Sequence, residues 1–167
     1  AVYMFEWNST NWVETDILEA SNSGAGDKFG LSVDISGEML IVGANEEDGG
    51  GSGINDAYDG NARSQSGAAY LFVRGGNGVW QEEAKLKAPN PGLGARYGNS
   101  VAISDGTVVV GAELESSNAI GVDGQASGSS IESGAAYIYV IDAPYIFPDI
   151  DVVANFAGVM ESGVSMI

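Results

Sequence analysis

The segment Gly26-Asp27-Lys28-Phe29-Gly30-Leu31-Ser32-Val33-Asp34-Ile35-Ser36 returns 68 positions later as Gly94-Ala95-Arg96-Tyr97-Gly98-Asn99-Ser100-Val101-Ala102-Ile103-Ser104. The same shift carries Val42-Gly43-Ala44 onto Val110-Gly111-Ala112, Trp12 onto Trp80, and Leu18-Glu19-Ala20 onto Leu86-Lys87-Ala88. At a shift of 67, Gly67-Ala68-Ala69-Tyr70-Leu71-Phe72-Val73 reappears as Gly134-Ala135-Ala136-Tyr137-Ile138-Tyr139-Val140. Ala1-Val2-Tyr3-Met4-Phe5 reads as the tail of an earlier copy. Self-similarity at a fixed period marks a repeat architecture, in which each unit buries its apolar faces against its neighbours.

Each repeat reads as four strands. In the first, Phe29, Leu31, Val33 and Ile35 alternate with Gly30, Ser32, Asp34 and Ser36, the period of a half-buried strand. Ser36-Gly37 and Asp105-Gly106 follow as tight hairpin turns, where glycine supplies a positive φ. The second strand, Met39 to Val42 or Thr107 to Val110, is almost continuously apolar and suits a strand covered on both faces. The Ala-Ala-Tyr segment is the third. The fourth begins at the tryptophan and places Trp80, Glu82, Ala84, Leu86 and Ala88 on one face, as it does Trp12, Glu14, Asp16, Leu18 and Ala20. Trp12 and Trp80 are read as packing core between units.

Four antiparallel strands per unit describe a propeller blade. A β-solenoid is the rival, but its coils are usually much shorter. The expected fold is all-β: antiparallel four-stranded β-propeller-type blades, about two and a half repeats forming an incomplete propeller, with a non-repeat C-terminal tail. Residues 1–20 supply the last two strands of a preceding blade, 21–88 a full blade, 89–141 three strands of a second, and 142–167 the tail. In the tail, Val152, Val153, Phe156, Val159, Met160, Val164 and Ile167 recur at helical steps, with Asp149 as an N-cap after Pro148. Gly158, Gly163 and the valines weigh instead for an extended strand completing the last blade. Helix and strand both stand at this point.

Phe29-Gly30, Val42-Gly43-Ala44 and Gly67 to Phe72, with Tyr97-Gly98, Gly111-Ala112 and Gly134 to Tyr139 in the second copy, resemble the FG-GAP repeat of the integrin α-subunit propeller and of many secreted bacterial and algal proteins. The resemblance covers residues 1–140. It implies a propeller blade, a secreted or cell-surface setting, and a role in adhesion or ligand binding. The proline of the Gly-Ala-Pro motif is replaced by Asn45 and Glu113. Family members that bind calcium often carry an Asp-rich loop between the first two strands. Here Asp34 to Glu38 and Ala102 to Gly106 are too short to wrap a cation that takes 6–8 oxygens.

Composition narrows the function. The chain has 167 residues, 23 Asp+Glu, six Lys+Arg, no His and no Cys, for a formal net charge of −17. Without His or Cys there is no Ser-His-Asp triad, Cys nucleophile, zinc finger or disulfide framework. Six scattered cations make no footprint for nucleic acid, and the acidity disfavours anionic membrane surfaces. No run of about 20 apolar residues suits a transmembrane helix. No signal-peptide pattern is present and the first residue is not Met, so a mature processed chain or a fragment is expected.

Nine of the 23 acids fall in two equivalent long loops, residues 45–66 and 113–133, where repeat proteins usually bind ligands. The first offers Glu46, Asp48, Asp56 and Asp59 as candidate calcium ligands, since carboxylates and loop carbonyls suit that cation. Against this stands the reading of solvated acidic turns that maintain solubility. Tyr58 is a candidate ligand contact, Asp27 a turn residue, and Asn8-Ser9-Thr10 a glycosylation sequon in a hairpin loop. A glycan-active enzyme would need two carboxylates about 5–10 Å apart, and no spacing selects a pair. The expected function is a non-catalytic extracellular module for adhesion or for binding a protein or glycan. The alternatives are a structural subunit that assembles with copies of itself by strand addition, and a carboxylate enzyme.

Overall fold

A computed structural model describes residues 1–56, 60–116, 132–141 and, as backbone, the strand 150–157. In chain order the strands are β1 (Val2–Trp7), β2 (Trp12–Leu18), β3 (Ser32–Ser36), β4 (Met39–Ala44), β5 (Gly53–Ile54), β6 (Ala68–Arg74), β7 (Trp80–Lys87), β8 (Tyr97–Ser104), β9 (Thr107–Ala112), β10 (Ala135–Ile141) and β11 (Ile150–Ala157). They form three sheets, ordered β1-β2, β3-β4-β6-β7-β5 and β8-β9-β10-β11, with every strand-to-strand pairing antiparallel. The all-β blade architecture expected from the repeat is what the chain adopts, and the sheets do not close into a ring.

The repeat is exact enough to reproduce irregularities. β1 on β2, β6 on β7 and β10 on β11 share one register, pairing Val2 with Leu18, Ala69 with Leu86 and Ala136 with Phe156. All three hairpins bulge at the same step, at Met4/Phe5, Leu71/Phe72 and Ile138/Tyr139. A bulge adds a residue to one strand and sharpens the local twist. The tail, for which helix and strand both stood, is strand over Ile150–Ala157 and supplies the fourth strand of the last blade. It does so without resembling β7 in sequence, because ladder hydrogen bonds come from the main chain.

Two apolar layers hold the sheets together. Leu40, Val42, Ala44, Ala68, Tyr70, Phe72 and Trp80 on one face of the central blade pack with Leu18, Ala20, Val2 and Met4 of the first hairpin. Ile41, Ala69, Leu71, Ala84 and Leu86 on the opposite face pack with Tyr97, Ile103, Val108, Val110, Tyr137 and Tyr139 of the next blade. β4 is buried on both sides, as its continuous apolar run implies, whereas β9 alternates because only one of its faces is covered.

Gly98 shows why the Phe-Gly step needs glycine. Its φ is +84°, and a Cβ there would stand 2.1 Å from the Ala68 carbonyl oxygen of the preceding blade. Gly30, at φ +90°, faces the Ala1 carbonyl at the equivalent place but more loosely, with 3.2 Å from a Cβ to the oxygen. Around this contact the blades are joined by polar groups. Tyr97 N donates to Ser66 O at 3.0 Å, Ser32 Oγ to Gly98 O at 2.9 Å, and Ile103 N to Asp34 Oδ2 at 2.8 Å.

Two expectations need correction. In β3 it is Ser32 and Asp34 that turn to the neighbouring blade, while Val33 and Ile35 are each 51% exposed. Ile103, the counterpart of Ile35, is 5% exposed, because β3 and β4 cover it. The first sheet has only β1 and β2 among the described residues, with no inner pair to cover Val33 and Ile35. Trp80 is core at 8% exposure on the face that meets the first hairpin, but Trp12, its counterpart in that hairpin, is 68% exposed because no described sheet covers its face, and its ring tilts against Trp7 at 5.7 Å between centroids. The short strand β5, which extends the central sheet beyond β7, was not foreseen; Asn55 fixes it by exchanging two 2.9 Å hydrogen bonds with the Lys85 backbone.

Candidate functional site

The loops joining β4 to β6 and β9 to β10 leave equivalent strand ends of two adjacent blades. Both are anchored at the base in one way. Glu47 N and Glu115 N donate to Ala44 O and Ala112 O at 3.2 and 3.3 Å, and the two glutamate carbonyls accept Gly67 N and Gly134 N, each at 2.9 Å. Below the turn lies a repeated side-chain network. Asn22 Nδ2 donates to Glu47 Oε1 at 3.1 Å and Tyr70 OH donates to Asn22 Oδ1 at 2.8 Å. In the second copy Asn90 Nδ2 donates to Glu115 Oε1 at 2.9 Å and Tyr137 OH to Asn90 Oδ1 at 3.1 Å. Both glutamates and both tyrosines are buried. Burial pushes the two tyrosine hydroxyls well above their usual range, so they act as neutral donors.

The first copy adds a cation. Lys87, fully buried at the end of β7, pairs with the Glu47 carboxylate and donates to Ser66 Oγ at 3.0 Å. Burial lowers its pKa, an effect that the Glu47 carboxylate partly opposes. By register Ala157 holds the corresponding place in β11. The network was missed in the sequence, although its signal was there: Asn22, Glu47, Ser66 and Tyr70 recur as Asn90, Glu115, Ser133 and Tyr137 within the repeat.

The candidate calcium ligands are placed as follows. Glu46 pairs with Lys28 at 2.6 Å. Asp48 Oδ1 accepts Gln65 N at 2.7 Å, and its carbonyl accepts Arg63 N at 3.0 Å. Asp56 Oδ2 accepts Ser52 N at 3.0 Å. Asp59 and Tyr58 lie outside the described residues. Among the described residues no three acidic groups converge as a metal site. The turn between the first two strands of each repeat does not fit a cation either. It is a two-residue hairpin in both copies, and Asp34 spends its oxygens on Ile35 N and on Ile103 N of the next blade. Asp27 is a turn residue, accepting Gly24 N at 2.7 Å, and burial raises its pKa. Asn8 sits exposed in the β1–β2 hairpin, its Oδ1 accepting Thr10 N and Asn11 N.

Asn45 and Glu113, which replace the motif prolines, have a use of their own. Asn45 Nδ2 donates to Asn99 Oδ1 at 2.9 Å, Asn99 Nδ2 donates to Glu113 Oε2 at 3.0 Å, and Arg96 closes the chain on Glu113 at 3.1 Å. A residue that could not donate would break this link between blades.

Stacked antiparallel blades with a shared bulge, a Phe-Gly contact and a repeated loop anchor define a β-propeller-type repeat protein. The chain belongs to the FG-GAP repeat family, which matches residues 12–72 and 80–139. Each match starts at a tryptophan strand and ends in an Ala-Ala-Tyr strand, so the family unit straddles two sheets. No curated protein matches the chain. No helix among the described residues is long and apolar enough to cross a membrane.

Proposed function

We propose that the chain is a non-catalytic, extracellular β-propeller-type module that engages a protein or glycan ligand through the β4–β6 and β9–β10 loops. The observation behind this is the repeated anchor: two equivalent loop bases held by Glu-Asn-Tyr networks whose glutamates and tyrosines are buried, carrying acidic, Gly/Ser-rich segments that differ between copies. A rigid base with variable loops is how scaffolds present binding residues. The FG-GAP family is a non-enzymatic one, which supports the absence of catalysis. Calcium is part of the proposal through Glu46, Asp48, Asp56 and Asp59. Glycan arrays and protein-interaction screens test the ligand, with exchange of the two loops as the control; binding that survives removal of both loops sinks it. Calorimetry with calcium and a melting shift on chelation test the cation, and no shift removes it.

A second reading, assembly with other copies, is favoured by one observation. β1 has no described strand on the edge where its counterpart β6 pairs with β4, and the Val33 and Ile35 side chains beside it are half exposed. An edge strand such as β3 of another copy would pair with that edge and extend the sheet over those side chains. Light scattering over a concentration series decides: a monomer throughout rejects assembly.

A further inference from the structure

Buried Lys87, Glu47 and Tyr70, with half-buried Asn22, form a constellation with more chemistry than a loop anchor needs. One carboxylate bridges an amine and a carboxamide: Glu47 Oε2 holds Lys87 Nζ, and Glu47 Oε1 accepts from Asn22 Nδ2 at 3.1 Å. The oxygen of that carboxamide accepts a hydrogen bond from Tyr70 OH at 2.8 Å. An amine, an acyl carbon, an acid–base group hydrogen-bonded to both the amine and the leaving nitrogen, and a donor on the acyl oxygen are the parts of an acyl transfer. The second copy is an internal comparison. It keeps the Asn90–Glu115–Tyr137 network, so that network by itself serves the turn. The amine is added in the first copy alone, since the matching register position is Ala157.

We propose that Lys87 and Asn22 join in an intramolecular isopeptide bond, with Glu47 as the proton carrier and Tyr70 polarising the Asn22 carbonyl. Glu47 takes a proton from the Lys87 ammonium, and the freed lone pair attacks Asn22 Cγ. The negative charge on Oδ1 is met by the Tyr70 hydroxyl. A second proton leaves Nζ, the Cγ–Nδ2 bond breaks, and Nδ2 departs with both protons as ammonium. An ammonium and a carboxamide become a secondary amide and a free ammonium ion, so no oxidant or cofactor is required. Burial, which favours the neutral amine, supports the first step. Asn22 lies just after β2 and Lys87 at the end of β7, so the bond would tie the start of the first full repeat to its last strand.

The test is intact mass and peptide sequencing of the folded, full-length chain. The expected result is a mass lower than the sequence value by one ammonia, with a branched peptide joining Asn22 to Lys87. Lys87→Arg and Glu47→Gln should return to full sequence mass, and Asn22→Asp should lose water in place of ammonia. Folded wild-type protein at full sequence mass overturns the proposal, whatever the variants do. So does an ammonia loss that persists in Lys87→Arg, which would come from cyclisation at Asn77-Gly78.

Discussion

Replacing Gly98 by Ala isolates the contact that sets the spacing between blades. The matched control is Gly94→Ala. Both glycines have positive φ, +84° and +70°, so both substitutions carry the strain of a side chain in the left-handed region, about 1–2 kcal/mol. They differ in space. A Cβ at Gly94 meets nothing within 4 Å, whereas at Gly98 it lies 2.1 Å from Ala68 O and 3.0 Å from Ala68 C. Relief requires the two backbones to part by about 1 Å, a gap that forfeits a quarter to a half of each dispersion contact. It also stretches the bonds from Tyr97 N to Ser66 O and from Ser32 Oγ to Gly98 O, now 3.0 and 2.9 Å, at about 1 kcal/mol each. With overpacking strain of about 1–3 kcal/mol, Gly98→Ala should cost about 5 kcal/mol against about 1–2 kcal/mol for Gly94→Ala. Urea unfolding with a slope of about 2 kcal/mol/M reads this as a midpoint about 2.5 M lower than wild type, against about 0.5–1 M lower for the control. Equal midpoints for the two variants would falsify the claim that backbone approach at Gly98 fixes the blade interface.

Three further outcomes follow from buried polar groups. Tyr97 OH donates to Tyr139 Oη at 2.6 Å, and burial pushes Tyr139 up to about 12 and Tyr97 well above 10. The folded chain thus keeps protons that the unfolded chain releases above pH 10, and stability falls as pH rises through that window, by about 3 kcal/mol for Tyr139 alone. A urea midpoint that stays level from pH 9 to 12 would contradict this, and Tyr139→Phe should lessen the decline without abolishing it, because Tyr70, Tyr97 and Tyr137 are raised by burial as well. Asp34→Ala removes the acceptor for Ile103 N across the blade interface and should cost about 1–2 kcal/mol by the same assay; a cost near zero would mean that water replaces it. Tyr137→Phe removes the donor to Asn90 and should cost about 1–2 kcal/mol while leaving the β-sheet circular dichroism unchanged; loss of that signal would give Tyr137 a larger role than anchoring one loop.

Most of the fold was legible because its information is local. Alternation, turn glycines and the Ala-Ala-Tyr strand each act over a few residues, and recurrence at 67–68 positions set them in one frame. The loops were legible as long and acidic. Their anchor was not read, because Asn22, Glu47 and Tyr70 look like ordinary linker, loop and strand residues until the chain brings them together. Of the acids that looked most like cation ligands, Asp48 and Asp56 hold turns and Glu46 pairs with Lys28, while Glu47, the one that organises the site, looked no different from its neighbours.

By itself the sequence determined the repeat, the strand type, the hairpin-turn glycines and the order of the blades. Only the tertiary structure decided which faces are covered. Trp12 and Trp80 occupy the same place in the repeat, yet one is exposed and the other is core; Ile35 and Ile103 divide the same way. Burial belongs to the neighbouring layer, and identical residues fare differently where that layer is half present. The tail shows the converse. β11 takes the place of β7 with almost none of its side chains, because a sheet edge recruits a strand through main-chain groups that every residue except proline carries in full.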